Sequence, residues 1–396
     1  MAVNAGSSSI KYKLFEMPEE KVICSGLVER IGHDDAHFRI KYGENKHDDY
    51  LPIKDHSFGV ELILKALTKF GIVKDWSEIK AVGHRVVQGG KYFNKSAIFN
   101  EDTEAKVTKL VPLDPLHAPA HLMGYHAFKK ALPDALALAV FDTAYFCDMA
   151  EEDKLFPIPY EYTETYDIRR YGAHGTSHNY LALKAHEDFL KNKEDRKIIT
   201  CHLGSGASLS AIHNEKAIAT SMGLTPLGGV MMGTRSGDID PSVVNYLCVC
   251  LKKSSEEVYD ILNKKSGFLG VSGISNDTRD VLAQAQKGNK RALVAIKLWA
   301  RRIADFIGSY FIRLGGCDLI VFSGGIGENA SDYRKAVYED IKEALKVKLD
   351  EKKNEELCGQ EGLISTPDSA IPMAVIPTDE ELMIAKDCVK ALEGRL

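Results

Sequence analysis

Two arginines sit among glycines in this chain, Arg85 in "AVGHRVVQGG" and Arg235 in "MMGTRSGDIDPS". One arginine in a glycine-rich bend usually braces its own loop. A pair, together with His174 and His178 in "RRYGAHGTSH", suits an anionic substrate and an anionic transition state, because the guanidinium fork grips paired oxygens. Asp142 ends the apolar run in "AVFDTAYF", at the carboxyl end of a strand where sheet-based sites lie; a buried structural aspartate fits the same pattern. Near the C-terminus, "IPTDEEL" opens a helix. Thr378 and Glu381 have capping-box spacing, which leaves Glu380 free to bind a metal.

Glycine-rich turns form a second group. "AVNAGSSSIKYKLFE" places Gly6 and three serines between two runs with strand alternation, either a plain hairpin or a cradle of N–H and hydroxyl donors for a phosphate. Around residue 200 the chain repeats this beginning as "IITCHLGSGASLSAI": Asn4 aligns with His202, and Gly6–Ser7 with Gly204–Ser205. "EKVICSG" from Glu20 is echoed by "EKAIATS" from Glu215. Two copies of strand–turn–strand–turn–strand point to a duplicated domain with one small-residue turn per half. Two donor-rich turns facing across a cleft would clamp a polyphosphate. A third turn, "FSGGIGENA", follows an apolar strand and precedes a helix, so ligand can approach backbone N–H groups there. It also matches G-x-G-x-x-A, with Asp350 further on, which keeps a dinucleotide site as a rival. No G-x-x-x-x-G-K-S/T motif occurs, which excludes a Walker-type NTPase.

These turns need a scaffold of alternating strands and helices, an α/β class. "HSFGVELILKALTKFG" has helical spacing and stops at Gly71. "RALVAIKLWARRIADFIGSYFIRLGG" predicts a long helix with Leu293, Ile296, Ala300, Ile303, Ile307 and Leu314 on its buried face, ending at Gly315–Gly316. At 396 residues two domains are expected, with the polar segment 160–172 as a candidate crossing. The composition, 44% hydrophobic and 27% charged with net charge −5, is that of a soluble globular protein without a basic face for nucleic acid or membrane. No apolar stretch approaches a spanning helix, and the N-terminus lacks a signal-peptide layout. The eight cysteines lack metal spacing and read as free thiols in a reducing, cytoplasmic compartment.

"NAGSSSIKY", "GHRVVQGG", "AVFDTAYF", "RRYGAHGTSH", "CHLGSGASL", "TSMGLTPLGGVMMGTRSGDIDP", "FSGGIGEN" and "IPTDEEL" together resemble the acetate kinase family, in order and from end to end. The resemblance implies a duplicated actin-like (ribonuclease H-like) α/β fold of two domains with an interdomain nucleotide cleft. The domains would be 1–145 joined by about 379–396, and 146–378. It implies ATP:acetate phosphotransfer by direct in-line transfer, with Mg²⁺ (Mn²⁺ as a substitute), and a homodimer.

Residue by residue, the resemblance puts the metal at Asn4 and Glu380 and an ATP-phosphate contact at Lys11. Arg85 would bind the substrate, His174 and Arg235 would stabilise the transferring phosphoryl group, and Asp142 is the essential carboxylate. Nucleotide contacts would come from His202, Leu203, Gly204, Ser205 and Gly206. Further contacts would come from Asp277, Thr278 and Arg279, and from Gly324, Gly325, Ile326, Gly327 and Glu328. Val87, Leu116, Ala173 and Pro226 would line the acyl pocket. Ala118 and His121 stand where the family has asparagines, as does Ser205; Thr278 replaces an aromatic residue. Ala173 replaces a phenylalanine, which makes a propionate or butyrate kinase with an enlarged pocket the nearest alternative. A non-enzymatic actin-like switch is the rival from another class, and it needs no acyl-anion site.

Overall fold

The computed structural model describes every residue except 116. The chain divides into two compact units, Met1–Cys147 with Asp379–Leu396, and Asp148–Thr378. The polar segment 160–172 lies inside the second unit, where Tyr160–Tyr166 is helical.

The first unit is built on eight strands: β1 (Ala2–Gly6), β2 (Ser9–Glu16), β3 (Lys21–Glu29), β4 (Ala36–Tyr42), β5 (Asn45–Leu51), β6 (Ala81–Val86), β7 (Ala97–Ile98) and β8 (Leu136–Phe141). They hydrogen-bond in the order β5-β4-β3-β2-β1-β6-β8-β7. The second unit has β9 (Lys197–Leu203), β10 (Ala207–His213), β11 (Lys216–Thr220), β12 (Leu319–Ser323), β13 (Gly362–Leu363) and β14 (Met373–Val375), in the order β11-β10-β9-β12-β14-β13.

The sequence repeat is a repeat of topology. In the first unit β3-β2-β1 is antiparallel and β1-β6-β8 parallel. In the second, β11-β10-β9 is antiparallel and β9-β12-β14 parallel. Each sheet therefore starts as a meander and continues by crossovers through helices, as parallel neighbours require. The first unit adds β4 and β5 at one edge, and each sheet ends in a short antiparallel strand that covers its far edge.

Local signals set the helix ends. Asp55 caps the helix His56–Lys69 by accepting from the Phe58 N–H, and Gly71 follows in a left-handed conformation. The helix Lys290–Leu314 ends on left-handed Gly315. Its buried face is Ala292, Ala295, Trp299, Ala300, Ile303, Ile307, Tyr310 and Leu314. Leu293, expected on that face, is 41% exposed. Ala292 takes its place because Trp299 fixes the helix rotation, packing against the rings of Phe268 and Tyr333. No helix among the described residues is long and apolar enough to cross a membrane.

The helix Glu380–Leu392 carries the acidic segment onto the first sheet, burying Ile384, Ala385 and Cys388 with Ala2, Ala81, Leu138 and Val140. Gly83 in β6 makes this approach possible: a Cβ there would lie 2.3 Å from Ile384 Cγ2 and 2.7 Å from Cys388 Sγ. Gly83→Ala is expected to destabilise the protein by about 1–3 kcal/mol through overpacking. Thermal unfolding measures this; an unchanged midpoint would show that the helix shifts freely.

Candidate active site

Arg85 and Asp142 occupy the carboxyl ends of the neighbouring parallel strands β6 and β8, whose register pairs Arg85 with Val140 and Val86 with Phe141. The guanidinium grips the carboxylate at two points, Nε to Oδ1 at 3.1 Å and Nη2 to Oδ2 at 2.6 Å, and Asp142 has no exposed surface. Glu380 Oε2 lies 3.6 Å from Arg85 Nε. Burial opposes the Arg85 charge, but Asp142 and Glu380 more than offset that, so its affinity for the proton rises. Glu380 has the opposite difficulty. Burial, with Asp142 and Glu381 adding repulsion against the attraction of Arg85 and Lys11, pushes its carboxyl up to about 7.

The strand β2 faces this helix N-terminus through Lys13, which bonds Asp379 Oδ1 at 2.9 Å and lies 3.1 Å from Glu381 Oε2. Lys11 shares the Lys13 face by strand alternation, and its register partner across the hairpin is Asn4. Asn4 therefore lies on the face that carries the helix Glu380–Leu392. A divalent cation fits this donor set: a desolvated carboxyl with an elevated proton affinity, and an amide oxygen nearby. No group of three or more His, Cys, Asp or Glu side chains suited to a metal occurs among the described residues. A cation here would complete its shell with phosphate oxygens and water, the habit of Mg²⁺.

The turn between β1 and β2 is braced from below by two histidines. His121 Nδ1 donates to the Ala5 carbonyl at 3.1 Å, and His56 Nε2 to the Gly6 carbonyl at 2.8 Å. Burial, and then the neighbouring Arg85, push His121 down to about 3, so it is neutral. Val87 is buried beside Val86. Leu116 lies outside the described residues.

The expected capping box at the helix start is absent. Asp379 is the cap, accepting from the Leu382 N–H. Thr378 Oγ1 instead pairs with Ser177 Oγ at 2.7 Å, and Glu381 is drawn to Lys13. Lys13 draws the Glu381 carboxylate out of the capping position, while Asp379 both caps the helix and pairs with the same lysine.

In the second unit, His174 stands at the start of the helix Gly175–Asp188 with φ 58° and ψ 25°, a left-handed conformation unusual for a non-glycine residue and a mark of sites held by their surroundings. Its Nδ1 pairs with Ser208 Oγ at 2.9 Å; the same oxygen pairs with His178 Nε2 at 2.8 Å, and His178 Nδ1 with Thr200 Oγ1 at 2.7 Å. Burial holds His178 well below its ordinary value, so it is a neutral member of this chain. Gly206 brings the other partner in: a Cβ there would lie 3.4 Å from His174 Nε2 and 3.5 Å from Arg235 Nη1. Arg235 Nη1 also donates to the Pro226 carbonyl at 3.2 Å.

The turn after β9 carries His202, Leu203, Gly204, Ser205 and Gly206. His202 Nδ1 pairs with Ser177 Oγ, and its ring lies 4.3 Å from that of His174. The Gly233 N–H donates to the Ser205 carbonyl, and a Cβ on Gly233 would sit 3.3 Å from the Asn276 carbonyl, so the Asp277 segment borders this turn. Asp277 caps the helix Thr278–Gln286 and grips Arg279, which lowers its carboxyl to about 2.

The glycine-rich segment after β12 is a short helix, Gly324–Asn329, and not an open turn. Gly324 is held at φ +75°, with room for a Cβ blocked by Leu203 backbone at 2.8 Å, whereas Gly325 faces open space. Ile326 and Gly327 are buried. Glu328 Oε1 accepts from the N–H groups of Gly324 and Thr378 at 2.8 and 3.1 Å, so its carboxylate braces the segment. Asp350 caps the helix Glu351–Glu356, which gives it a structural task unrelated to a ribose. Ala173 is 2% exposed and belongs to the core of this unit.

The Acetokinase family profile matches residues 1–386. The chain belongs to the acetokinase family. It is similar to acetate kinase of Limosilactobacillus fermentum, at 48% identity over 98% of this chain and 97% of that protein. It is also similar to the crystal structure of Porphyromonas gingivalis acetate kinase, with 42% identity, a TM-score of 0.92, and coverage of 99% and 98% of the two chains. A propionate kinase from Francisella tularensis has the same TM-score at 39% identity, with coverage of 98% and 97%. The chain is an enzyme of the acetate kinase class, a kinase, and its mixed α/β architecture with two sheets is the duplicated actin-like, two-domain fold of that family. Neither a nicotinamide dehydrogenase nor a non-enzymatic switch fits this membership.

Glu380 gives a pH test. A carboxyl near 7 in the folded state and about 4.5 unfolded binds more proton when folded. Stability contributed by its protonated form is therefore present at low pH and lost as pH rises through that window, by about 1.4 kcal/mol per unit. Without divalent cation, Glu380→Gln should flatten the decline between roughly pH 5 and 7 seen in denaturant titrations. An unchanged slope would show that another group titrates there.

Proposed function

We propose that the chain is an ATP:acetate phosphotransferase, interconverting acetate and ATP with acetyl phosphate and ADP. The observation that carries this reading is the pair of arginine sites, one with a buried carboxylate partner at the end of a parallel sheet and one beside a strained histidine. A carboxylate acceptor is already ionised at neutral pH, its pKa being about 4–5. No strong general base is required. What must be supplied is alignment of two anions and neutralisation of the charge that spreads over the transferring group.

In this reading Arg85 holds the acetate carboxylate, and Asp142 orients the guanidinium rather than removing a proton. One carboxylate oxygen bonds to the γ-phosphorus as the bond to the β–γ bridging oxygen breaks, and the electron pair leaves on ADP. His174 and Arg235 donate to the equatorial oxygens, with Ser208 fixing the His174 ring. Lys11 contacts ATP phosphate. His202 to Gly206, Asp277 to Arg279 and Gly324 to Glu328 hold the nucleotide. Val87 contacts the acetate methyl from the first unit, and Ala173 and Pro226 are the acyl-side residues of the second. Asn4 and Glu380 would hold Mg²⁺, or Mn²⁺ in its place, which would supply charge neutralisation to the phosphates. The free thiols suit the cytoplasm.

An acyl-hydroxamate assay with acetate, propionate and butyrate tests the reading. Acetate should be the preferred acid, with propionate within about tenfold in kcat/KM, because one methylene discriminates weakly. Arg85→Ala and Arg235→Ala should each lower kcat by roughly a hundredfold or more, as the loss of preorganised donors does. Hydroxamate formation that needs neither arginine would overturn the assignment.

The functional molecule is a homodimer in this reading, and the helix Pro241–Leu251 supports it. Its sequence PSVVNYLCVCL has no charged residue and no buried one, with Tyr246 and Val249 69% and 68% exposed. A second copy of the chain is the partner that covers such a surface. Val249→Glu with Tyr246→Lys should halve the mass seen by light scattering toward 43.8 kDa; a mass unaltered by both changes would place the interface elsewhere.

A further inference from the structure

His174 and Arg235 are carried by two separate segments, joined by the Arg170 side chain and by two backbone hydrogen bonds beside it. Arg170 Nη1 donates to three consecutive carbonyls at the end of β11 and just after it, Thr220 at 3.4 Å, Ser221 at 3.1 Å and Met222 at 3.1 Å. Its own N–H donates to the Lys154 carbonyl, and its guanidinium lies over the Phe156 ring at 5.3 Å. No carboxylate comes within ion-pair distance of Arg170 among the described residues, so its charge is devoted to these carbonyls. Next to it, the N–H groups of Tyr171 and Gly172 both donate to the Gly223 carbonyl, at 3.0 and 3.3 Å.

The two clamped segments lead directly to the reacting groups. From Arg170 the chain runs through Tyr171–Gly172–Ala173 to His174, which is held left-handed. From Gly223 it runs through Leu224 and Thr225 to Pro226, whose carbonyl accepts from Arg235. Three carbonyl dipoles converging on one point repel one another without a cation between them. Removing the cation would leave only the two backbone bonds to Gly223 to hold the segments against that repulsion.

We propose that Arg170 is a positioning residue that sets the spacing between His174 and Arg235. This rests on the reading that those two stabilise the transferring phosphoryl group. A displacement of about 1 Å in such a site costs on the order of a hundredfold in rate.

Steady-state kinetics of variants at Arg170, Arg235 and His174 test it. Arg170→Ala should lower kcat at least about thirtyfold while the KM for ATP stays within about threefold, and added guanidinium ion should restore part of the loss. Placed in an Arg235→Ala background, Arg170→Ala should cost less than about threefold more, because it acts through a group already gone; independent effects would multiply. If Arg170→Ala does not fold by its thermal transition, Arg170→Lys, which keeps a cation but loses the fork, should show an intermediate kcat with the same non-additivity. Wild-type kcat in the folded Arg170 variant, or full multiplication with Arg235→Ala, overturns the positioning role. Normal turnover in His174→Ala and Arg235→Ala would instead overturn the reading on which it rests.

Discussion

The Arg85–Asp142 ion pair is the constraint around which the first unit is arranged. Two opposite charges buried at the ends of adjacent strands are stable because each meets the other at two points, and either alone would be an uncompensated buried charge. Their placement fixes what surrounds them. His121 is kept neutral beside the guanidinium, and the Glu380 carboxyl, at 3.6 Å from an arginine already committed to Asp142, is left short of positive charge. In the proposed reading the arginine accepts a second anion and the carboxyl a cation.

The second unit meets a different need with chains of hydroxyls and imidazoles. His174, Ser208, His178 and Thr200 form a chain of imidazoles and hydroxyls inside the sheet and its covering helix, and His202, Ser177 and Thr378 form another. Hydroxyls both donate and accept, and burial keeps His178 neutral, so the chain through it holds the His174 ring in place without charging its buried member.

Much of this was legible in the sequence because its causes are local. The small-residue turn after Asn4 recurs after His202 because the same hairpin is used twice, and Gly71 and Gly315 end helices that need a left-handed residue there. Arg85, Asp142, Arg235 and His174 stood out by the glycines and strands around them. What was hidden depends on distant partners. Thr378 and Glu381 have capping-box spacing, but Ser177 and Lys13 claim them. Leu293 follows the helical period, yet Trp299 turns the helix away from it. Arg170 looks like one of two basic residues in a polar stretch, and its three carbonyl partners lie about fifty positions away. Ser208 was hidden in the same way: nothing local in "ASLSAI" shows that its hydroxyl meets both His174 and His178.

The central claim is that the acid attacks phosphorus directly, with charge neutralised and no side chain phosphorylated on the way. Glu380 is the carboxylate that would serve as an alternative nucleophile. The configuration at phosphorus after transfer from ATP made chiral at the γ-position with oxygen isotopes decides between them. A single in-line displacement inverts it, which is the result expected here. Retention would mean two displacements and a phosphorylated enzyme, and would contradict the account.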